Sequence, residues 1–94
     1  MSSRITDKML ENLRDIINAE MGTPSTKWTR HEDKSLTSND GHYGIYHSPG
    51  ECNMMQVVGE DGAERIVIYA STRGALYEKM QTWRDGVRAA RESN

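Results

Sequence analysis

Residues 65–91, RIVIYASTRGALYEKMQTWRDGVRAAR, hold the two patterns that decide the fold: a short apolar run, then the longest amphipathic repeat in the chain. The run Arg65–Ala70 is β-branched and aromatic, as a buried strand requires. Downstream, Leu76, Met80, Trp83, Val87 and Ala90 recur at i, i+4, i+7, i+11 and i+14, which lines them up on one side of a 3.6-residue helix. Ser71 stands at the N-cap, but Gly74 occupies the position where a capping box places Glu or Gln. Gly86 costs a further ~1 kcal/mol against alanine inside a helix. The helix therefore depends on burying its stripe against the strands that precede it.

Towards the N-terminus, Met54–Val58 and His42–Ser48 read as strands. Ser48-Pro49-Gly50 joins them as a type II turn, and Glu60-Asp61-Gly62 connects Met54–Val58 to the Glu64–Ala70 strand. Alternation places Tyr43 and Ile45 on one face and Tyr46 on the other. Ser25–His31 also alternates, with Trp28 as its only large apolar residue, and is expected at a sheet edge. Glu32–Asp40 is polar apart from Leu36 and runs into the turn signal Asn39-Asp40-Gly41, so a long loop is expected there.

Thr6 is placed to cap a first helix, with Ile5 and Leu10 as a hydrophobic staple and Asp7 in its first turn. Met9, Leu10, Leu13, Ile16, Ile17 and Met21 form the apolar side; Lys8, Glu11, Asp15 and Asn18 fall outside it. Gly22 and Pro24 end the helix.

The order α-β-β-β-β-α predicts an α+β fold, one domain over residues 1–94: an antiparallel four-stranded meander flanked by the N-terminal and C-terminal helices. The last two strands are apolar on both faces, Ile66 and Ile68 opposite Val67 and Tyr69, Met55 and Val57 opposite Met54 and Val58. The preferred reading is that both helices cover one face, leaving an apolar patch on the other. Such a patch marks a homodimer or partner-binding sheet.

At 94 residues the chain suits one domain, and its 35% hydrophobic content exceeds that of disordered chains. A formal charge of −2 gives no electrostatic drive towards nucleic acid or anionic membrane. The one cysteine, Cys52, excludes an internal disulfide and a thiolate-rich zinc site. No run reaches the ~20 apolar residues that span a bilayer, and the N-terminus has no signal-peptide core, so a cytoplasmic location is expected.

No strong catalytic, metal or nucleotide signature is present. His31, His42, His47 and Cys52 match no metal-ligand spacing. Cys52 and His47 are candidates for a nucleophile and base across the Pro49 turn, but no third, orienting residue is evident in sequence, and a lone cysteine in a hairpin more often serves as a small packing residue. No catalytic residue, metal site or cofactor is expected. Trp28, Arg30, Tyr43, Tyr46, Arg65 and Tyr69 interleave aromatic and basic character, as on sheets that stack single-stranded bases, yet the βαββαβ order and aromatic-rich signature of an RNA-recognition module are missing. The last helix is more unusual: Arg73, Tyr77, Arg84, Arg88 and Arg91 run along the margin of its apolar stripe. Arginines there complement the helix dipole and cover apolar surface; arginine and tyrosine are also the residues enriched at interfaces.

Gly41-His-Tyr-Gly-Ile-Tyr46, Ser71-Thr-Arg-Gly-Ala-Leu-Tyr-Glu-Lys-Met80 and Trp83-Arg-Asp-Gly86 resemble a group of small uncharacterised bacteriophage proteins that share a Gly-x-Tyr-x-Ile/Leu strand and a similar C-terminal helix start. Gly74 departs from the acidic residue usual in that group. The resemblance implies a phage accessory protein in the host cytoplasm that binds and inhibits a host protein, a defence enzyme in the manner of an anti-CRISPR inhibitor among them. The expected contact residues are Arg73, Tyr77, Arg84, Arg88, Tyr46 and Tyr69. The alternative is a small module for single-stranded nucleic acid or a nucleotide, using the sheet aromatics.

Overall fold

The first helix, α1 (Asp7–Met21), begins and ends where local chemistry directs. Thr6 is extended, and its hydroxyl accepts the Met9 N–H at 3.2 Å. Gly22 is left-handed (φ 71°), and the N–H groups of Gly22 and Thr23 donate back to Ala19 and Asn18, a Schellman arrangement. The computed structural model describes residues 4–59 and 61–92, so Glu60 of the expected Glu60-Asp61-Gly62 connection lies outside it.

The expected single four-stranded meander does not form: two antiparallel sheets do. β1 (Trp28–Arg30) and β2 (Leu36–Ser38) make a hairpin; β3 (Tyr43–Ser48), β4 (Glu51–Val57) and β5 (Glu64–Ile68) make a three-stranded meander with β4 in the middle. β2 occupies the stretch expected as a loop. Its residues carry no alternating apolar signal because most of their side chains are exposed; backbone pairing with β1 holds the strand.

At the hairpin tip, Lys34 N–H donates to the His31 carbonyl and His31 N–H to that of Ser35. Lys34 adopts φ 70°, the one positive φ at a non-glycine among the described residues. That conformation costs an L-residue roughly 1 kcal/mol that glycine avoids. Lys34→Gly is therefore expected to stabilise the protein by about 0.5–1 kcal/mol, read as a higher denaturant midpoint at unchanged slope.

In the meander, Gly50 takes φ 79° in the β3–β4 turn, as expected there. A bulge then overturns one expectation. Met54 pairs with Ile68 but Met55 with Ile66, so Val67 is an extra residue and Ile66 and Ile68 point to opposite faces. Ile68 joins the core at 9% exposure and Ile66 stays 53% exposed.

Leu10, Leu13 and Ile17 of α1, Leu76 and Met80 of the second helix, α2 (Arg73–Glu92), and Tyr43, Cys52, Met54 and Ile68 of the sheet form one buried cluster. Both helices thus cover the same face. Thr72, not Ser71, caps α2, its hydroxyl accepting the Ala75 N–H at 3.1 Å. The helix begins at Arg73, so the cap falls one position later than expected.

Asn18 corrects a further reading. Assigned to the outer side of α1, it is 1% exposed. Its Oδ1 accepts the Tyr43 N–H at 2.9 Å and the Thr23 hydroxyl at 2.7 Å, while its Nδ2 donates to the Tyr43 carbonyl at 3.0 Å. The amide pairs with the edge of β3 as a neighbouring strand would, satisfying backbone groups that burial under α1 would otherwise orphan. Ile16, assigned to the buried side, is 43% exposed.

Candidate interaction surface

The two helices run parallel, tied at both ends by charge pairs. Near their starts, Arg73 Nε donates to Asp7 Oδ1 at 2.6 Å. Thirteen residues along α1, Arg84 binds Glu20 through both nitrogens of its fork, at 2.9 and 2.6 Å. Arg91 donates to the Glu20 backbone carbonyl at 2.7 Å. The helices differ in length, with 15 residues in α1 and 20 in α2. At ~1.5 Å per residue, α2 outruns its neighbour by roughly 7–8 Å.

That overhang leaves the far end of the α2 stripe incompletely covered. Leu76 and Met80 are fully buried, Trp83 and Val87 are only part-buried, and Ala90 is exposed. Trp83 leans edge-on against Tyr43, their ring centres 5.4 Å apart. Beyond it opens a cleft of about 210 Å³, floored by Ile17, Met21, Trp83 and Val87. Arg84, Arg88 and Arg91 stand around it, with Glu20 as the one acidic residue among the described residues that line it. The arginine at 88 is exposed and reaches Glu20 only through its field. An apolar floor inside a basic rim fits a ligand with an apolar body and an acidic edge.

Glu20 is held below the ordinary carboxylate range, chiefly by its hydrogen bond from Arg84 and then by the fields of Arg84, Arg88 and Arg91. Asp7 is lowered likewise, first by the Arg73 hydrogen bond and to a smaller degree by the fields of Arg73 and His47. Both depressed values mean that the helix ties are present above the unfolded carboxylate range and are lost as pH falls through the folded values. The melting temperature is therefore expected to drop on acidification below about pH 4.5, and to drop less in an Asp7→Asn, Glu20→Gln variant.

The expected contact residues do not converge. Arg84 and Arg88 belong to the cleft. Arg73 is tied to Asp7 at the opposite end of α2, and Tyr77 is half-buried against the core. Tyr46 and Tyr69, 50% and 54% exposed, lie outside the buried cluster, on the sheet face the helices leave open. Register places Tyr46 beside Asn53, and Ile66 beside Met55. The preferred one-face arrangement of the helices thus holds. Sequence reasoning missed Glu20 and the role of Trp83 and Val87 as a floor, because no local pattern links Glu20 to arginines more than sixty residues away.

Cys52 and His47 lie side by side near the start of α1. Their Sγ and Nδ1 are 3.5 Å apart, and Asp7 Oδ1, from α1, is 3.4 Å from His47 Nε2. Among the described residues, no group of three or more His, Cys, Asp and Glu is arranged to hold a metal ion, and no helix is long and apolar enough to cross a membrane. No family model, curated protein or solved structure matches this chain.

Proposed function

We propose that this chain is a non-enzymatic interaction protein that occludes a surface of a host protein, with the arginine-rimmed cleft between the ends of α1 and α2 as its principal contact. The observation that carries this is the overhang of α2, which leaves Trp83 and Val87 open beneath Arg84, Arg88 and Arg91. Tryptophan and arginine around a concave apolar floor have the composition of interface anchors. The partner segment presents an aliphatic or aromatic side chain next to Asp or Glu. The likeness to small phage accessory proteins supports a host factor, a defence enzyme included, as the partner.

Arg88→Glu tests this directly. Arg84 is unsuitable because it holds Glu20, whereas the Arg88 side chain makes no hydrogen bond among the described residues. Affinity purification from a bacterial lysate, followed by titration of the recovered protein, is expected to show at least tenfold weaker binding for Arg88→Glu at unchanged melting temperature. Equal binding by the variant removes the cleft from the contact.

The helix-free sheet face supports a second reading, since Tyr46, Ile66 and Tyr69 remain about half exposed. It would serve either a homodimer or the stacking of single-stranded bases. Light scattering on Ile66→Lys, beside fluorescence titration of the native protein with oligonucleotides, separates these. A monomer at high concentration that binds no oligonucleotide retires both.

A further inference from the structure

Cys52 is the only thiol of the chain, and it is not isolated. It lies on β4, directly opposite His47 on β3 in the hairpin register, so the pairing of the two strands fixes both side chains on one face. His47 Nδ1 faces the sulfur at 3.5 Å. The other ring nitrogen, Nε2, faces Asp7 Oδ1 at 3.4 Å. In the tautomer with its proton on Nε2, the ring leaves Nδ1 as acceptor for the thiol proton, and the carboxylate stands at ion-pair distance from the imidazolium that forms. Asp7 is itself held by Arg73, so its position does not depend on His47. Nucleophile, base and carboxylate thus come from three separate elements.

Cys52, only 2% exposed, borders the floor of an open cleft of about 380 Å³ whose opposite wall is Ser71, Thr72 and Arg73, the start of α2. Thr72 takes the Ala75 N–H, leaving Arg73 and Gly74 as first-turn donors without an intrahelical acceptor. That helix end faces the same space as the sulfur, where oxygen charge would develop on an acyl group under attack.

We infer that Cys52, His47 and Asp7 form a nucleophilic thiol site that accepts an acyl group from an activated ester or thioester. The thiol proton passes to His47 Nδ1 and the sulfur bonds the acyl carbon. The bond from that carbon to the leaving oxygen or sulfur breaks, and the departing group takes the proton from His47 as alcohol or thiol. Asp7 acts as a positioning residue, steadying the imidazolium that forms between the two transfers. The product is a thioester at Cys52. This site shares no residue with the arginine-rimmed cleft, and neither inference depends on the other.

The experiment is acetylation of the full chain by p-nitrophenyl acetate near pH 7, with site and extent read by peptide mass spectrometry. The chain unfolded in denaturant serves as the reference for an unassisted thiol. Folded Cys52 is expected to react at least ~10-fold faster than the unfolded chain, and His47→Gln to slow it about 100-fold at unchanged melting temperature. Asp7→Asn is expected to slow the reaction and to move the midpoint of its pH profile downward, a change that loss of the helix tie alone would not produce. The charged groups around the ring are Asp7, Arg73 and Glu51. Folded Cys52 reacting no faster than the unfolded chain, or His47→Gln leaving the rate unchanged, would falsify the assignment. The resting thiol is pushed up in pKa by burial, so the folded site has no advantage without His47 as base.

Discussion

Asn18→Leu is expected to lower stability by about 3 kcal/mol, although leucine is the more hydrophobic residue and the stronger helix former. The position is fully enclosed, and the asparagine amide pairs with both the N–H and the C=O of Tyr43 at the β3 edge, at 2.9 and 3.0 Å. Removing it orphans two buried backbone groups, each worth roughly 1–3 kcal/mol, against a gain of about 1–2 kcal/mol from added apolar burial. A domain of this size has only about 5–10 kcal/mol in total, so the loss is a large share of it. Asn18→Asp makes a sharper comparison. It keeps the acceptor for the Tyr43 N–H but turns a second acceptor towards the Tyr43 carbonyl, so it is expected to be less damaging at low pH, where the acid is protonated. Urea unfolding at two pH values measures both. A neutral Asn18→Leu would show that this edge of β3 finds other partners.

Gly62→Ala is expected to cost about 2–3 kcal/mol. Gly62 has φ 82°, which an alanine adopts at a penalty of about 1 kcal/mol. An added Cβ would also stand 2.6 Å from Cη2 of Trp28, closer than real contacts permit. The Trp28 ring must then leave, and with it part of the seat of the β1–β2 hairpin. That seat is otherwise built from polar contacts: the Ser38 hydroxyl bridging Gly59 and Gly62, the Asp40 carboxylate on the Gly59 N–H, and Lys27 on Glu64 at 2.6 Å. Partly exposed charge pairs of this kind contribute little, and the ring over the glycine adds an apolar contact to them. In a Trp28→Ala background, Gly62→Ala is expected to cost only its backbone part, about 1 kcal/mol. The difference between the two backgrounds is the coupling between ring and turn. A coupling of zero means that Trp28 is not seated on Gly62.

Where the sequence could be read, the signal was local. Thr6, Gly22 and Gly50 act within a few residues of themselves, and each does what its chemistry requires. The apolar periods of both helices likewise identify Leu10, Leu13, Ile17, Leu76 and Met80 as core. Apart from the one-residue offset of the α2 cap, the misreadings arose where a side chain or strand answers to something distant. β2 is mostly exposed and so leaves no alternation. The bulge at Val67 shifts the period-2 pattern by one and turns Ile66 outward. Asn18 is polar by identity and buried by contact with a strand twenty-five residues on. Of the interaction surface, Arg84 and Arg88 were legible as an unusual arginine margin, whereas the cleft they border was not, because it exists only where α2 passes the end of α1.

The sequence by itself determined the α+β class, the two helices with both caps of α1, the β3–β4–β5 meander and most of the core, because capping, turn chemistry and hydrophobic period are short-range constraints. Only the tertiary structure decided that the hairpin stands apart as its own sheet, that both helices share one face, and that Arg73 and Arg84 are ties to α1. It also decided that Asp7 stands 3.4 Å from His47. Each of these depends on groups far apart in the chain, brought together by parallel packing of α1 and α2 on one sheet, and no local pattern records that arrangement.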